Sequence, residues 1–266
     1  MPQRKAIFIT GGASGIGRAV AIHFAKMGWF VGLGDVDVLG LAQTAAFLPK
    51  DQWSTHALDV RSREQWNTVL AAFWKLSGER LDVLFNNAGV GRGGPLEAMS
   101  HADTDLVIDV NIRGVVHGAE AGFAYLKQTP GSCLLNTASA AGIHGAGGMA
   151  IYCASKFAVR GLTESLDIEW ASHGIKVKSL MPAFIDTPIL DSIALDSNRQ
   201  TRDIVRDAGL EISPVSLVAD AAWNAVHGDA VHTRVGKTAH RAWFMVRWFP
   251  GVFRKRSKSL AGGDRS

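Results

Sequence analysis

Short apolar runs alternate with stretches of helical periodicity along most of the chain. Residues 6–9 and 133–135 are apolar runs, and residues 30–34, 53–58, 81–85, 175–180 and 231–235 are further stretches of strand length. They are too short for buried helices and read as strands. Between them lie helical patterns, ending near Met27, spanning 38–48, running from a Ser62 cap with Glu64 in the first turn to about Leu76, and spanning 103–127. A further helix carries Tyr152 and runs to about Ser172, with Gly174 as its stop. Ser213 and Pro214 have the form of an N-cap and first helical position, opening a helix to about His227. Strand alternating with helix predicts one doubly wound α/β domain of about seven parallel strands flanked by helices. In such a sheet a ligand sits at the strands' C-terminal edge.

Length and composition agree. The chain has 266 residues, 47% of them hydrophobic, enough for a sizeable core in a single domain of this class. There is no internal repeat, and no run of 18 or more apolar residues of the kind that spans a bilayer. The N-terminus enters its first strand within a few residues, which leaves no room for a signal peptide. The two cysteines, Cys133 and Cys153, lack metal-ligand spacing and are too few for a disulfide framework. No metal site is expected, and a cytoplasmic setting fits.

Two stretches carry chemistry. The first is Thr10-Gly11-Gly12-Ala13-Ser14-Gly15-Ile16-Gly17, placed between a strand and a helix. That arrangement offers backbone N–H groups and a helix N-terminus to a phosphate. Gly11, Ser14, Gly15, Ile16 and Gly17 are therefore the candidates for holding a dinucleotide. The second runs from Ser139 to Tyr152 and Lys156. Tyr152 and Lys156 are one turn apart on one helix face. A free phenol ionises only near pH ~10, and an adjacent ammonium favours the phenolate. With Ser139 holding a substrate oxygen, the three make a proton relay for oxidising an alcohol or reducing a carbonyl. Taken alone, Tyr-x-x-x-Lys is equally a surface lysine below a half-buried tyrosine.

The glycine spacing of the first stretch, the Ser139/Tyr152/Lys156 set and Asn86-Asn87-Ala88-Gly89 together resemble the short-chain dehydrogenase/reductase family, over about residues 5 to 190. The resemblance implies a Rossmann-type catalytic domain over 1–236, with a substrate lid at about 189–212. It makes Asn111, Ser139, Tyr152 and Lys156 the catalytic candidates, with Asn111 anchoring a water beside Lys156. It has Asn87, Ala88 and Gly89 line the cofactor, Asp59 and Val60 flank the adenine, Tyr152 and Lys156 contact the cofactor, and Ile185 and Thr187 contact the carboxamide. Ala183 follows Pro182 where the family usually has glycine. The family is often a homodimer or homotetramer. Asp35, at the end of the second strand, is placed to accept the adenosine ribose hydroxyls and would repel a 2′-phosphate. Ser14 and Val36 stand where many NADP-dependent relatives are basic, and Asp37 adds negative charge. NAD is thus expected over NADP. The competing class is a dinucleotide-binding sensor or scaffold without turnover. His101, His117 and His144 read as surface or loop residues, with His144 a candidate for the substrate mouth.

Charge alters the picture only at the C-terminus. Of 28 basic residues against 24 acidic, seven lie between Lys237 and Lys258, where there is no acidic residue; without them the net charge falls from +4 to −3. Interleaved with them are Trp243, Phe244, Met245, Val246, Trp248 and Phe249. Residues 237–266 therefore read as an amphipathic basic extension. It packs either over the cleft, on a neighbouring subunit, or on an anionic membrane surface. No nucleic-acid partner is expected. A small hydrophobic alcohol or carbonyl compound is the expected substrate.

Overall fold

A computed structural model of the protein describes residues 4–191 and 199–262, the last four of these by backbone alone. The strands in chain order are β1 (Ala6–Thr10), β2 (Phe30–Asp35), β3 (Trp53–Ala57), β4 (Val83–Asn86), β5 (Cys133–Thr137), β6 (Lys176–Pro182), β7 (Phe184–Ile185), β8 (Ile212–Ser213) and β9 (His232–Val235). Seven form one sheet in the order β3-β2-β1-β4-β5-β6-β9, and every pairing is parallel. β7 and β8 pair with each other in a separate parallel ladder. The strand order reverses between β1 and β4, so their C-terminal ends open the crevice that such sheets use for ligands.

The helices are α1 (Gly15–Lys26), α2 (Val38–Ala45), α3 (Arg63–Leu76), α4 (His101–Ile108), α5 (Gly114–Gln128), α6 (Ala150–Trp170), α7 (Thr201–Asp207), α8 (Val215–His227), α9 (Lys237–Trp248) and α10 (Pro250–Gly262). Successive side chains of β1 point to opposite faces. Ile7 and Ile9 join Phe24 of α1, Leu41 of α2 and Val218 of α8 in one core. Ala6 and Phe8 join Trp66 and Phe73 of α3, Leu126 of α5 and Leu166 of α6 in the other. Burial on both faces explains why β1 reads as a continuous apolar run, while the edge strands β3 and β9, partly exposed, are mixed in sequence.

Helix ends follow local chemistry. The Ser62 hydroxyl accepts from the Gln65 N–H at 3.2 Å, as the capping pattern implies. Gly174, with φ 69°, ends the α6 segment after a short 3-10 turn. At α8 the expectation was off by one position. Ser213 belongs to β8 and Pro214, with φ −68° and ψ 150°, is the cap itself. Pairing of Ile185 with Ser213 draws that serine into the ladder.

The stretch 103–127 also departs from one long helix. A π-turn, Asp109–Arg113, separates α4 from α5. Gly118 lies against both the sheet and Trp66 of α3, and Gly122 lies against the sheet. A Cβ on Gly118 would come 2.2 Å from Asn86 Oδ1, and one on Gly122 2.3 Å from Leu84 Cδ2. His117, expected at the surface, is buried with Nδ1 3.3 Å from the Val60 carbonyl oxygen.

Residues 192–198 of the expected lid and the terminal 263–266 lie outside the described residues. The rest of the lid stretch contains α7, whose Arg202 guanidinium pairs with Asp186 (2.5 Å) and Asp191 (2.8 Å). The C-terminal extension folds onto the body. The Trp243 ring lies between the guanidinium groups of Arg160 (4.9 Å) and Arg234 (5.1 Å). Trp243 and Val246 pack on Ile143, Val159 and Met181. Among the described residues no helix is long and apolar enough to cross a membrane.

Candidate active site

The glycine turn joins β1 to α1. Gly11 has φ 67°, a conformation that side chains rarely adopt. A Cβ on Gly17 would come 2.0 Å from the Gly11 carbonyl oxygen, so only glycine lets the helix start this close to the strand. Ser14 is the N-cap of α1 but its hydroxyl caps nothing. The free N–H groups at Gly15, Ile16 and Gly17 are thus left for an anion. This cradle fits a dinucleotide pyrophosphate. Thr187 adjoins it, since a Cβ on Gly15 would lie 3.1 Å from Thr187 Cγ2. Ile185 is buried in the core beneath, and the Thr187 hydroxyl donates to its carbonyl at 3.2 Å.

The turn after β4 is tied to this cradle by Thr10, which the sequence reading quoted but did not single out. Its Oγ1 accepts from the N–H groups of Asn87 and Ala88, both at 3.0 Å. The Asn87 amide donates to the Thr10 carbonyl at 3.0 Å, and its Oδ1 accepts from Thr137 Oγ1 at 3.1 Å. Asn87 therefore fastens β1, β4 and β5 at their C-terminal ends. A polar side chain closing an otherwise apolar strand was the available signal for Thr10. Ala88 and Val60 line one shallow recess together with Val110 and Val115.

The residues expected at the adenosine, Asp35, Asp59 and Val60, stand at or just beyond the C-terminal ends of β2 and β3. Asp35 Oδ2 accepts from the Ala13 N–H and Oδ1 from the Asp37 N–H, each at 3.1 Å. Each oxygen keeps a lone pair for a hydroxyl donor. Arg18 is turned away into contacts with the Ala13 carbonyl and Thr44 Oγ1. Val36 is exposed beside Asp35. The Asp59 carboxylate pairs with Arg61 at 2.6 Å, and the Arg61 guanidinium holds it below the usual carboxylate range. Val60 is buried, and its carbonyl accepts from Trp66 Nε1 at 3.0 Å.

At the centre of the edge are Ser139, Tyr152, Lys156 and Asn111. Ser139 follows β5, and its Oγ accepts from the Ala141 N–H at 3.1 Å. Its hydroxyl donates to the Pro182 carbonyl at 3.4 Å, and its nearness to the Tyr152 phenol favours the ionised form of that phenol. Lys156 is buried on α6, with Nζ donating to the Thr137 carbonyl at 3.0 Å and lying 5.6 Å from the centre of the Tyr152 ring. Asn111, fully buried in the π-turn, accepts from the Val90 N–H at 2.9 Å. It donates to the Val90 carbonyl at 3.0 Å and to Ser155 Oγ at 3.2 Å. A Cβ on Gly89 would meet Asn111 Oδ1 at 3.3 Å and Lys156 Nζ at 3.6 Å, so these three share one small space.

The electrostatics differ from the sequence expectation. Lys156 was expected to lower the phenol of Tyr152. Instead burial dominates and pushes the phenol up, with the nearby Ser139 hydroxyl acting against it. Burial also lowers Lys156 to about 8. The two charged forms are both disfavoured by removal from water, which outweighs their mutual attraction at this separation. The resting site therefore holds a protonated phenol, the form that donates a proton to a carbonyl oxygen. Cys153 is buried next to Tyr152 and its thiol is pushed up by burial, so it is unreactive.

Comparison with known proteins agrees with this geometry. The family model described as short chain dehydrogenase matches residues 5–198. Levodione reductase of Leifsonia aquatica is 36% identical over 222 residues, covering 82% of this chain and 83% of that protein. Cyclopentanol dehydrogenase of Comamonas testosteroni is 31% identical over 251 residues, covering 89% and 98%. A solved short chain dehydrogenase/reductase from Burkholderia phymatum in complex with NAD superposes with a TM-score of 0.81 at 30% identity, covering 96% of this chain and 95% of that one. From the glycine turn to the Tyr152 helix, the chain belongs to the short-chain dehydrogenase/reductase family.

Proposed function

We propose that the protein is an NAD(H)-dependent oxidoreductase that interconverts a secondary alcohol and a ketone or aldehyde on a small hydrophobic molecule. The observation that carries this reading is the gathering of Ser139, Tyr152 and buried Lys156, with Lys156 Nζ 5.6 Å from the Tyr152 ring, on the sheet edge that also bears the glycine cradle. When bound, the nicotinamide dinucleotide supplies or accepts the hydride. The chain's own residues do the rest. Ser139 donates a hydrogen bond to the substrate oxygen and fixes it next to the phenol. Tyr152 gives its proton to that oxygen in reduction, or takes it in oxidation. Lys156 supplies positive charge behind the phenol and holds the ribose hydroxyls. Asn111 positions the loop at Val90 and the helix at Ser155 on either side of Lys156. Asp35, with no free basic group turned toward it, favours the ribose hydroxyls of NAD over a 2′-phosphate. Asp59, Val60, Ala88, Ile185 and Thr187 line the cofactor within this reading. So does the division into a catalytic unit, 1–236, and an extension, 237–266, as does assembly into a homodimer or homotetramer.

The test is NADH absorbance over a panel of ketones and secondary alcohols of rising hydrophobicity, run with NAD(H) and NADP(H). Turnover is expected to favour NAD(H). Tyr152→Phe is expected to lose at least about a hundredfold in kcat while NADH binding persists. Asp35→Ser is expected to narrow the preference for NADH. Unchanged turnover in Tyr152→Phe overturns the assignment. Tight NADH binding with no turnover across the panel would favour a dinucleotide sensor.

A further inference from the structure

Helix α9 has two apolar stripes, and the body of the protein uses one of them. Ala239, Ala242, Trp243 and Val246 face inward: the two alanines are buried, and the other two pack on the cluster at Ile143 and Met181. On the opposite side Arg241, Phe244 and Trp248 are spaced i, i+3 and i+7, which sets them in one line. All three are exposed, Phe244 at 54% and Trp248 at 63%. The line continues through exposed Phe249, whose ring lies 6.0 Å from that of Phe244, and exposed Val252 in α10. Contiguous large apolar side chains in water mark a surface that meets something.

The charges say what it meets. Lys237, Arg241, Arg247, Arg254, Lys255, Arg256 and Lys258 are all exposed, and residues 237–258 contain no acid. A second copy presenting the same face would set seven cations against seven, which is repulsive. A nucleic acid would satisfy the cations but leave the aromatic line in water. An anionic lipid surface satisfies both, with aromatic rings at the headgroup boundary and cations on lipid phosphates.

We propose that the outward face of α9 and α10 docks the protein on an anionic membrane surface. The docking also orients the molecule. Phe253, on the inner side of α10, packs edge-on against His144 at 4.7 Å. His144 lies on the segment between Ser139 and Tyr152, so the docked face stands beside the mouth of the candidate site. The proposal stands on this surface alone and holds whether or not the reaction above is the right one.

The full chain is sedimented with vesicles of phosphatidylcholine alone and with about 30% phosphatidylglycerol added. Binding to the anionic vesicles only is expected, with release at high salt. The double variant Phe244→Ser/Trp248→Ser and the pair Arg254→Glu/Lys255→Glu are each expected to bind at least about tenfold more weakly. The far-UV circular dichroism and NADH binding of both should match the parent, because these side chains are exposed and remote from the cradle. Absence of binding to anionic vesicles, or binding unaffected by either variant, overturns the proposal. So does a halving of the solution mass in the aromatic variant, which would give the face to a second copy. Preferential binding of duplex DNA that survives the aromatic substitutions would give it to nucleic acid instead.

Discussion

The Lys156 ammonium donates to the Thr137 carbonyl oxygen at 3.0 Å, which anchors the cation to the end of β5 with its nitrogen 5.6 Å from the centre of the Tyr152 ring. Lys156 is thus a buried cation held by one neutral acceptor. Among the described residues the site gives it no carboxylate partner within ion-pair distance. Its lowered value follows from that loss of water.

This burial has a consequence for stability. Lys156 titrates at about 8 in the folded chain against an ordinary 10.5. Between those values the unfolded chain holds a proton that the native chain does not. Stability, measured relative to Lys156→Met, therefore rises with pH through this window, by up to about 3 kcal/mol. Urea unfolding of both proteins at about pH 7.5 and about pH 10 checks it. A constant difference between them would mean that Lys156 keeps its proton inside the fold.

Asn111 makes three hydrogen bonds from a fully buried position in the π-turn. Asn111→Ala orphans both backbone groups of Val90. It is expected to cost about 2–4 kcal/mol of stability, read as a lower urea midpoint at unchanged slope. A variant of unchanged midpoint would show that water replaces the amide without loss.

Gly17→Ala drives a Cβ to within 2.0 Å of the Gly11 carbonyl oxygen. The backbone of the turn must move, and NADH affinity is expected to fall at least about tenfold, with about 1–3 kcal/mol of stability. Gly145→Ala serves as the control. Its added Cβ meets nothing within 4 Å, and its φ is not positive. It is expected to be neutral within about 0.5 kcal/mol. NADH fluorescence titration of the two variants makes the comparison.

Trp243→Ala removes the ring held between Arg160 and Arg234. The inward face of α9 then loses its largest contact, with an expected cost of about 2 kcal/mol. Limited trypsin digestion is expected to cut at Arg241 and Arg247 faster in the variant than in the parent. Equal cutting rates would place the attachment of the extension elsewhere.

Much of this molecule was legible from local pattern. Central strands such as β1 and β5 are buried along their whole length because the sheet is covered on both faces, and the Gly11–Gly17 turn is legible because close backbone approach admits only glycine. Tyr152 and Lys156 share a face because helical spacing alone requires it. Other features arise from partners distant in sequence. The π-turn at Asn111 answers to Val90 and Ser155, and Thr10 matters because the turn after β4 comes to rest on it. The phenol of Tyr152 is raised and not lowered because desolvation depends on how many atoms surround a group, a quantity no spacing records. The composition of residues 237–258 determined that the extension is basic and aromatic. Only packing against Ile143, Val159 and Met181 decided that Trp243 and Val246 of α9 are covered while Phe244 and Trp248 face water, since both faces carry aromatic rings and the shape of the body selects between them.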